Sequence, residues 1–232
     1  MSFNEPVLRM SGVSKTFPIP GGRLTAVNDV NFELKKGDFI GISGPSGSGK
    51  STFLQLAGLL SRPCVGDVEF DGINSSKAND ELLAKIRKER IGYVFQRPFI
   101  FGRWTVYENV LFRFRYLDAD VSRTKEKVIE ALSMVGLEGM ASMKAASLSG
   151  GEIQRMDIAR SIAMEPAAII ADEPTGNLDQ NSATRVMEIF TRLNNAGATI
   201  MFVTHNMALI DYCTRHAVCQ NGRLLEMRHA PR

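Results

Sequence analysis

The sequence predicts an α/β protein: a parallel sheet flanked by helices. Three stretches predict it. "DFIGIS" (38–43), "GPSGSGKST" (44–52) and "STFLQLAGLL" (51–60) read in succession as a buried strand, a glycine-rich turn and a helix. "AAIIADEPTGNLD" (167–179) begins as an apolar strand and ends in two acids. "LSGGEIQRMDIARSIA" (148–163) sets a serine and two glycines at the start of another helix.

At 232 residues the chain is long enough for one sizeable core, and 44% hydrophobic with 23% charged residues is ordinary globular composition. A net charge of +3 is too mild to argue for nucleic acid. It suits the neighbourhood of an anionic membrane surface, although a solvated, slightly basic surface is the plainer reading. Three cysteines, Cys64, Cys213 and Cys219, have no metal-ligand spacing and read as reduced thiols. No run approaches the roughly 20 apolar residues of a membrane helix. The N-terminal residues lack the pattern of a signal peptide. A soluble intracellular chain is expected, with any membrane span supplied by another protein.

The glycine-rich turn fits G-x-x-x-x-G-K-[ST] at Gly44, Pro45, Ser46, Gly47, Ser48, Gly49, Lys50 and Ser51, followed by Thr52. Glycines let backbone approach phosphate oxygens, and N–H groups at a helix start point at the anion. Lys50 is expected to reach β- and γ-phosphates and Ser51 to ligate Mg²⁺. The same residues in another context would be a Gly/Ser turn. Asp172, at the carboxyl end of a strand in a parallel sheet, is placed to hold Mg²⁺. Adjacent strand residues face opposite ways, so Glu173 serves a different role once the strand ends: turning toward the γ-phosphate and polarising a water. Pro174 helps fix that turn. In isolation the pair would read as surface acids after a core strand.

The segment from Leu148 builds a second anion site from Ser149, Gly150, Gly151 and bare helix N–H groups, with Ile153, Met156, Ile158 and Ile162 on the buried side. One nucleotide needs one cradle, so a second makes sense over the γ-phosphate held by another subunit. Here the sequence resembles the ATP-binding cassette (ABC) ATPases, whose hallmark is an LSGGQ-type signature. The resemblance covers nearly the whole chain, with its motifs in the family's order. It implies a P-loop NTPase domain with a RecA-like core, ATP and Mg²⁺ as ligands, and a homodimer with two shared sites. Phe17 matches the aromatic that stacks on adenine. Gln96 matches the glutamine that senses Mg²⁺ and γ-phosphate. Asp179, in "GNLD", matches the loop that speaks across the dimer, and His205 the switch histidine on the γ-phosphate. Taken alone, Phe17 is equally a core aromatic, Gln96 a polar strand end and His205 a capping histidine. The signature departs from the family's commonest form at Ile153, and "MKAASL" before it lacks a frequent proline.

The implied organisation is a nucleotide-binding core (1–96 and 164–232) and a helical subdomain (97–163). "PVLRMSGVSKTF" and "LTAVNDVNFELKKG" form the antiparallel edge. "TVYENVLFRFRYL", "SRTKEKVIEALSMVGL" and the signature helix fill the subdomain. Phe99, Ile100, Phe101 and Trp104 form an apolar cluster. Part reads as core, and the remainder as a groove for a helix of an integral membrane permease-type subunit. The resemblance implies a peripheral position at the cytoplasmic face of the membrane. "ADEPTGNLD", "RIGYVFQ" and the short chain look like the lipoprotein-release, macrolide-export and cell-division group, with amino-acid importers sharing much of the pattern. Two functions stay open: a transport ATPase, and a mechanical or regulatory ATPase that moves no cargo. A DNA-repair member needs a long coiled-coil insertion for which there is no room, and no guanine-reading N-K-x-D occurs.

Overall fold

The computed structural model describes residues 6–115 and 121–227. Strands β1 (Leu8–Ile19), β2 (Gly22–Leu34), β4 (Val65–Phe70) and β5 (Ile73–Asn74) form an antiparallel sheet in the order β2-β1-β4-β5. Strands β3 (Phe39–Ser43), β6 (Ile91–Val94), β7 (Ala168–Asp172), β8 (Ile200–Thr204), β9 (Arg215–Gln220) and β10 (Arg223–Met227) form the second, in the order β10-β9-β3-β8-β7-β6. Its pairs are parallel except β9 with β10. The runs FIGIS and IMFVT are buried at every position, as strands covered on both faces require.

The helices are α1 (Lys50–Ala57), α2 (Asp80–Glu89), α3 (Val106–Leu111), α4 (Val121–Met134), α5 (Gly150–Ile162) and α6 (Gln180–Asn195). Two apolar clusters hold the layers together. One, with Leu8, Phe32, Ile42, Phe53 and Phe70, joins the antiparallel sheet to α1 and one face of the parallel sheet. The other, with Val110, Leu132, Met156, Phe190 and Phe202, joins the helical segment to the opposite face. The helical segment therefore shares its core with the sheet.

Several elements differ from expectation. The antiparallel edge has four strands, because β4 and β5 add a hairpin whose turn, Asp71-Gly72, takes φ of 52° and 79°. Paired positive φ at Asp-Gly is a type I′ signal. Helix α1 ends at Ala57, with Leu59 left-handed at φ 59°. The 105–117 segment is not one helix: α3 stops at Leu111 and a 3₁₀ turn covers Phe112–Phe114. Tyr116 and Leu117 lie outside the described residues. On α5, Ile153 is only partly buried, while Gln154, Asp157 and Ser161 are buried among the apolar residues.

For the site, what matters is where the parallel strands end. Ser43 pairs with Thr204, and Asp172 with Val203, so β3, β7 and β8 finish along one edge. The segments that follow them start at Gly44, Glu173 and His205. That edge is where a parallel sheet presents its ligand crevice.

Candidate functional site

The loop after β3 is shaped by neighbours as much as by its own turns. Gly44 (φ 155°) and Gly49 (φ 107°) lie so close to neighbouring backbone that a Cβ would sit 2.2 Å from the Cys219 carbonyl and 2.1 Å from that of Ala26. Gly47, by contrast, faces open space. Lys50 is buried, and its Nζ donates to the carbonyls of Gly44 at 2.7 Å and Pro45 at 2.9 Å. No side chain caps α1 at Gly49, so its first N–H groups have no capping acceptor. Ser48 Oγ is buried without a hydrogen-bond partner among the described residues. Pro45, Ser46 and Ser51 are exposed, and Thr52 is half-buried. A lysine, uncapped helix N–H groups and an unsatisfied hydroxyl around an open glycine suit an anionic ligand.

Asp172 ends β7, and Glu173 takes the left-handed conformation at φ 45°. That turn, rare for a non-glycine residue, carries the second acid off the strand. Glu173 Oε2 lies 2.5 Å from His205 Nδ1, in the segment after β8. Burial first, and then the charge of Glu173, push the Asp172 carboxyl above the usual carboxylate range, with Lys50 opposing. Two acids sharing a partly desolvated pocket with one lysine form a donor set that fits a hard divalent cation. Gln96 belongs to the same group. A Cβ on Gly176 would stand 2.9 Å from Gln96 Nε2 and 3.4 Å from Glu173 Oε2, and Asn177 Nδ2 donates to the Gln96 carbonyl at 2.9 Å.

The raised Asp172 pKa has a stability consequence. The fold disfavours the charged carboxyl, so stability falls as pH rises from the unfolded-state value through the folded one. Asp172→Asn is therefore expected to raise the melting temperature of the nucleotide-free protein at pH 8 by roughly 1–2 °C. The gain shrinks as pH falls toward the ordinary carboxylate range. Thermal melts at several pH values check this, and a lower melting temperature at pH 8 would contradict it.

The second anion site is built separately. Ser149 caps α5 in a reciprocal box with Glu152: Ser149 Oγ donates to Glu152 Oε2 at 2.7 Å, and the Ser149 N–H to the same oxygen at 2.8 Å. These hydrogen bonds, the side-chain one first, lower the Glu152 pKa. Ser149 and Gly150 are exposed. Gly151 is packed so tightly that a Cβ would meet Ser182 Oγ at 2.7 Å, and that hydroxyl donates to Asp179 Oδ2 at 2.6 Å. Asp179 caps α6, so the starts of α5 and α6 lie side by side. The main packing partners of α1 are β1, β2, β4, β7 and β8, whereas α5 packs on β6, α3, α4 and α6.

Phe17 stands on the β1–β2 hairpin, 37% exposed and opposite Leu24, which lies two residues before Ala26, whose carbonyl packs against Gly49. Lys15 Nζ lies 5.6 Å from its ring centroid. The sequence reading missed residues that tie these parts together. Asp157 Oδ2 accepts the Phe95 N–H at 3.0 Å, and Gln154 Nε2 donates to the Phe95 carbonyl at 3.1 Å. The helix that starts at Ser149 thereby holds the backbone just before Gln96. Buried Asn109 ties the loop before α3 through Phe101 and Thr105. Polar residues at i and i+3 within an apolar helix face were the available signal.

The sequence profile of the ABC transporter family matches residues 27–176, and the chain belongs to that family. It is an ATP-binding, ATP-hydrolysing cassette. Among curated relatives, the lipoprotein-releasing system ATP-binding protein LolD of Hyphomonas neptunium is 36% identical, over 96% of this chain and 98% of its own. The macrolide export ATP-binding/permease protein MacB of Chlorobium phaeobacteroides is 36% identical over 95% of this chain, which spans 34% of that longer protein. A solved cassette, MJ0796 of Methanocaldococcus jannaschii, superposes with a TM-score of 0.86 at 35% identity, covering 97% of this chain and all of that one. That structure is a dimer in a post-hydrolysis state, bound to ADP and Pi.

Proposed function

We propose that the chain is the ATPase subunit of an export or lipoprotein-release type membrane complex. Two copies close around two ATP molecules and drive an integral membrane partner from its cytoplasmic face. The observation that carries this reading is that the two anion sites stand at the starts of different helices, α1 and α5, whose main packing partners differ, beside a catalytic-type cluster of Asp172, Glu173, His205 and Gln96. A second copy supplies what one copy keeps apart. The full-length likeness to LolD supports the lipoprotein-release class, and the dimeric MJ0796 cassette supports dimerisation. Among the described residues no helix is long and apolar enough to cross a membrane.

In this reading Phe17 stacks on the adenine, and the 44–52 loop holds the phosphates. Lys50 exchanges its two carbonyl acceptors for phosphate oxygens. Ser51, Gln96 and Asp172 would hold Mg²⁺, which neutralises phosphate charge when bound. Glu173 accepts a proton from the attacking water, and His205, already beside that carboxylate, donates to the γ-phosphate. Ser149, Gly150 and Gly151 of the partner copy close over the same phosphate, with Asp179 at their flank. Chelation tests the metal clause. EDTA is expected to reduce ATP hydrolysis by the purified chain to background, and added Mg²⁺ to restore it. Undiminished hydrolysis in EDTA would remove Ser51, Gln96 and Asp172 from that role.

A further inference from the structure

Strand β9 holds the phosphate loop from both faces of the sheet. On the α1 face, Cys219 Sγ donates to the Ser48 carbonyl at 3.2 Å. The Gly222 N–H, in the turn after β9, donates to the same carbonyl at 2.9 Å. On the opposite face a hydrogen bond of 2.8 Å joins His216 Nε2 and Ser43 Oγ, both side chains buried. His216 stands in register with Gly41, where a Cβ would meet the side chains of Phe202 and Cys213. The pair therefore lies in an otherwise apolar layer, at the end of a strand whose other residues are Phe, Ile, Gly and Ile. Apolar contact alone would bury that strand end. A satisfied polar pair there adds direction, because the bond holds in one arrangement only.

We propose that His216 is a positioning residue for ATP binding, fixing the start of the phosphate loop through Ser43. The inference rests on the reading of the 44–52 loop as the phosphate cradle and adds a residue outside it. Ser43 directly precedes Gly44, whose carbonyl accepts Lys50 Nζ at 2.7 Å. Ser43 also stands in register with Thr204, whose Oγ1 accepts the Asn206 N–H at 3.0 Å across His205. When Lys50 turns to phosphate oxygens, the loop loses its ties to the Gly44 and Pro45 carbonyls. The ties that a phosphate does not compete for are those of β9 and its turn: His216 to Ser43 at the start of the loop, Cys219 and Gly222 to Ser48 further along. A loop already held at these points binds phosphate without paying to order itself.

The test compares affinity for a fluorescent ATP analogue, turnover at saturating ATP and melting temperature in the purified full-length chain. His216→Leu and Ser43→Ala each remove the bond, and Ser43→Ala, the loss of one oxygen, serves if His216→Leu does not fold. Each is expected to weaken affinity about fivefold, with turnover at saturating ATP within about twofold of the unaltered chain. His216→Gln places an amide where Nε2 stands, able to donate or accept, and is expected to keep affinity within about twofold. His216→Asn is too short to reach and is expected to lose as much as His216→Leu. The double variant separates positioning from packing. With both partners apolar no polar group is left unpaired, so its melting temperature is expected above that of His216→Leu. Its affinity is expected to stay about fivefold low, no lower than either single change gives. Affinity that recovers with stability in the double variant, or a His216→Gln chain as weak as His216→Leu, overturns the inference. So does unaltered affinity in Ser43→Ala while Lys50→Ala loses binding. Near-normal affinity in Lys50→Ala overturns the cradle reading itself, and the inference with it.

Discussion

Glu173→Gln is expected to bind ATP with near-normal affinity, hydrolyse it about 10²–10⁴-fold more slowly and accumulate as an ATP-bound dimer. The amide keeps the size and hydrogen-bonding reach of the carboxylate but cannot accept a proton from water. Its backbone is held by the strand rather than by the carboxylate, since the Glu173 N–H donates to the Val203 carbonyl at 3.1 Å. The left-handed φ of 45° is thus available to glutamine as it is to glutamate. What is lost is the carboxylate charge beside His205 Nδ1, and with it the proton acceptor at the face where water would be activated. Single-turnover hydrolysis and sedimentation in ATP measure the two effects together. A mutant retaining more than about a tenth of the wild-type rate would mean that another group positions the water.

Lys50→Ala is expected to weaken ATP binding on the order of 100-fold, the loss of a charge-assisted hydrogen bond to phosphate. The change is larger than a surface lysine would give, because Lys50 is buried and its cation is held against the loop. Removing it also leaves the Gly44 and Pro45 carbonyls without that donor, so the loop loses an internal tie as well. Titration of a fluorescent ATP analogue measures the affinity. Near-normal affinity in the variant would count against the 44–52 loop as the phosphate cradle.

Much of this architecture is legible in the sequence because the physics is local. FIGIS and IMFVT are apolar at nearly every position and must be covered on both faces. The spacing from Gly44 to Ser51 sets a glycine loop before a helix, and the structure has one there. What the sequence hides is set by neighbours distant along the chain. Gly44 and Gly49 read as positions where backbone approaches phosphate, yet carbonyls of Cys219 and Ala26 also leave no room for a side chain at either. The turn at Glu173 is signalled by Pro174, but its left-handed φ and the bond from the Glu173 N–H to the Val203 carbonyl of β8 are not. Asp157 and Gln154 look like the polar face of a helix and prove to be buried, because the Phe95 backbone needs partners there. Ile153, read as core, is only partly buried.

In the proposed dimer each ATP is held by the phosphate loop of one chain and the Ser149 segment of another. Two variants, Lys50→Ala and Ser149→Arg, test it most directly. The first has a ruined phosphate loop and an intact second anion site. The second has the reverse, its hydroxyl replaced by bulk at an exposed helix start. Neither homodimer contains a complete site, but a mixed dimer contains one, pairing the Ser149→Arg chain's loop with the Lys50→Ala chain's Ser149 segment. The measurement is ATPase activity and ATP-dependent dimerisation of each variant and of their mixture, with subunit exchange verified by tags of different mass. Two inactive variants are expected, and a mixture that dimerises in ATP and recovers part of the hydrolysis, below half if the two sites cooperate. Verified exchange with no gain in dimerisation or rate would contradict the shared site, and would place both anion sites on the same nucleotide within one chain.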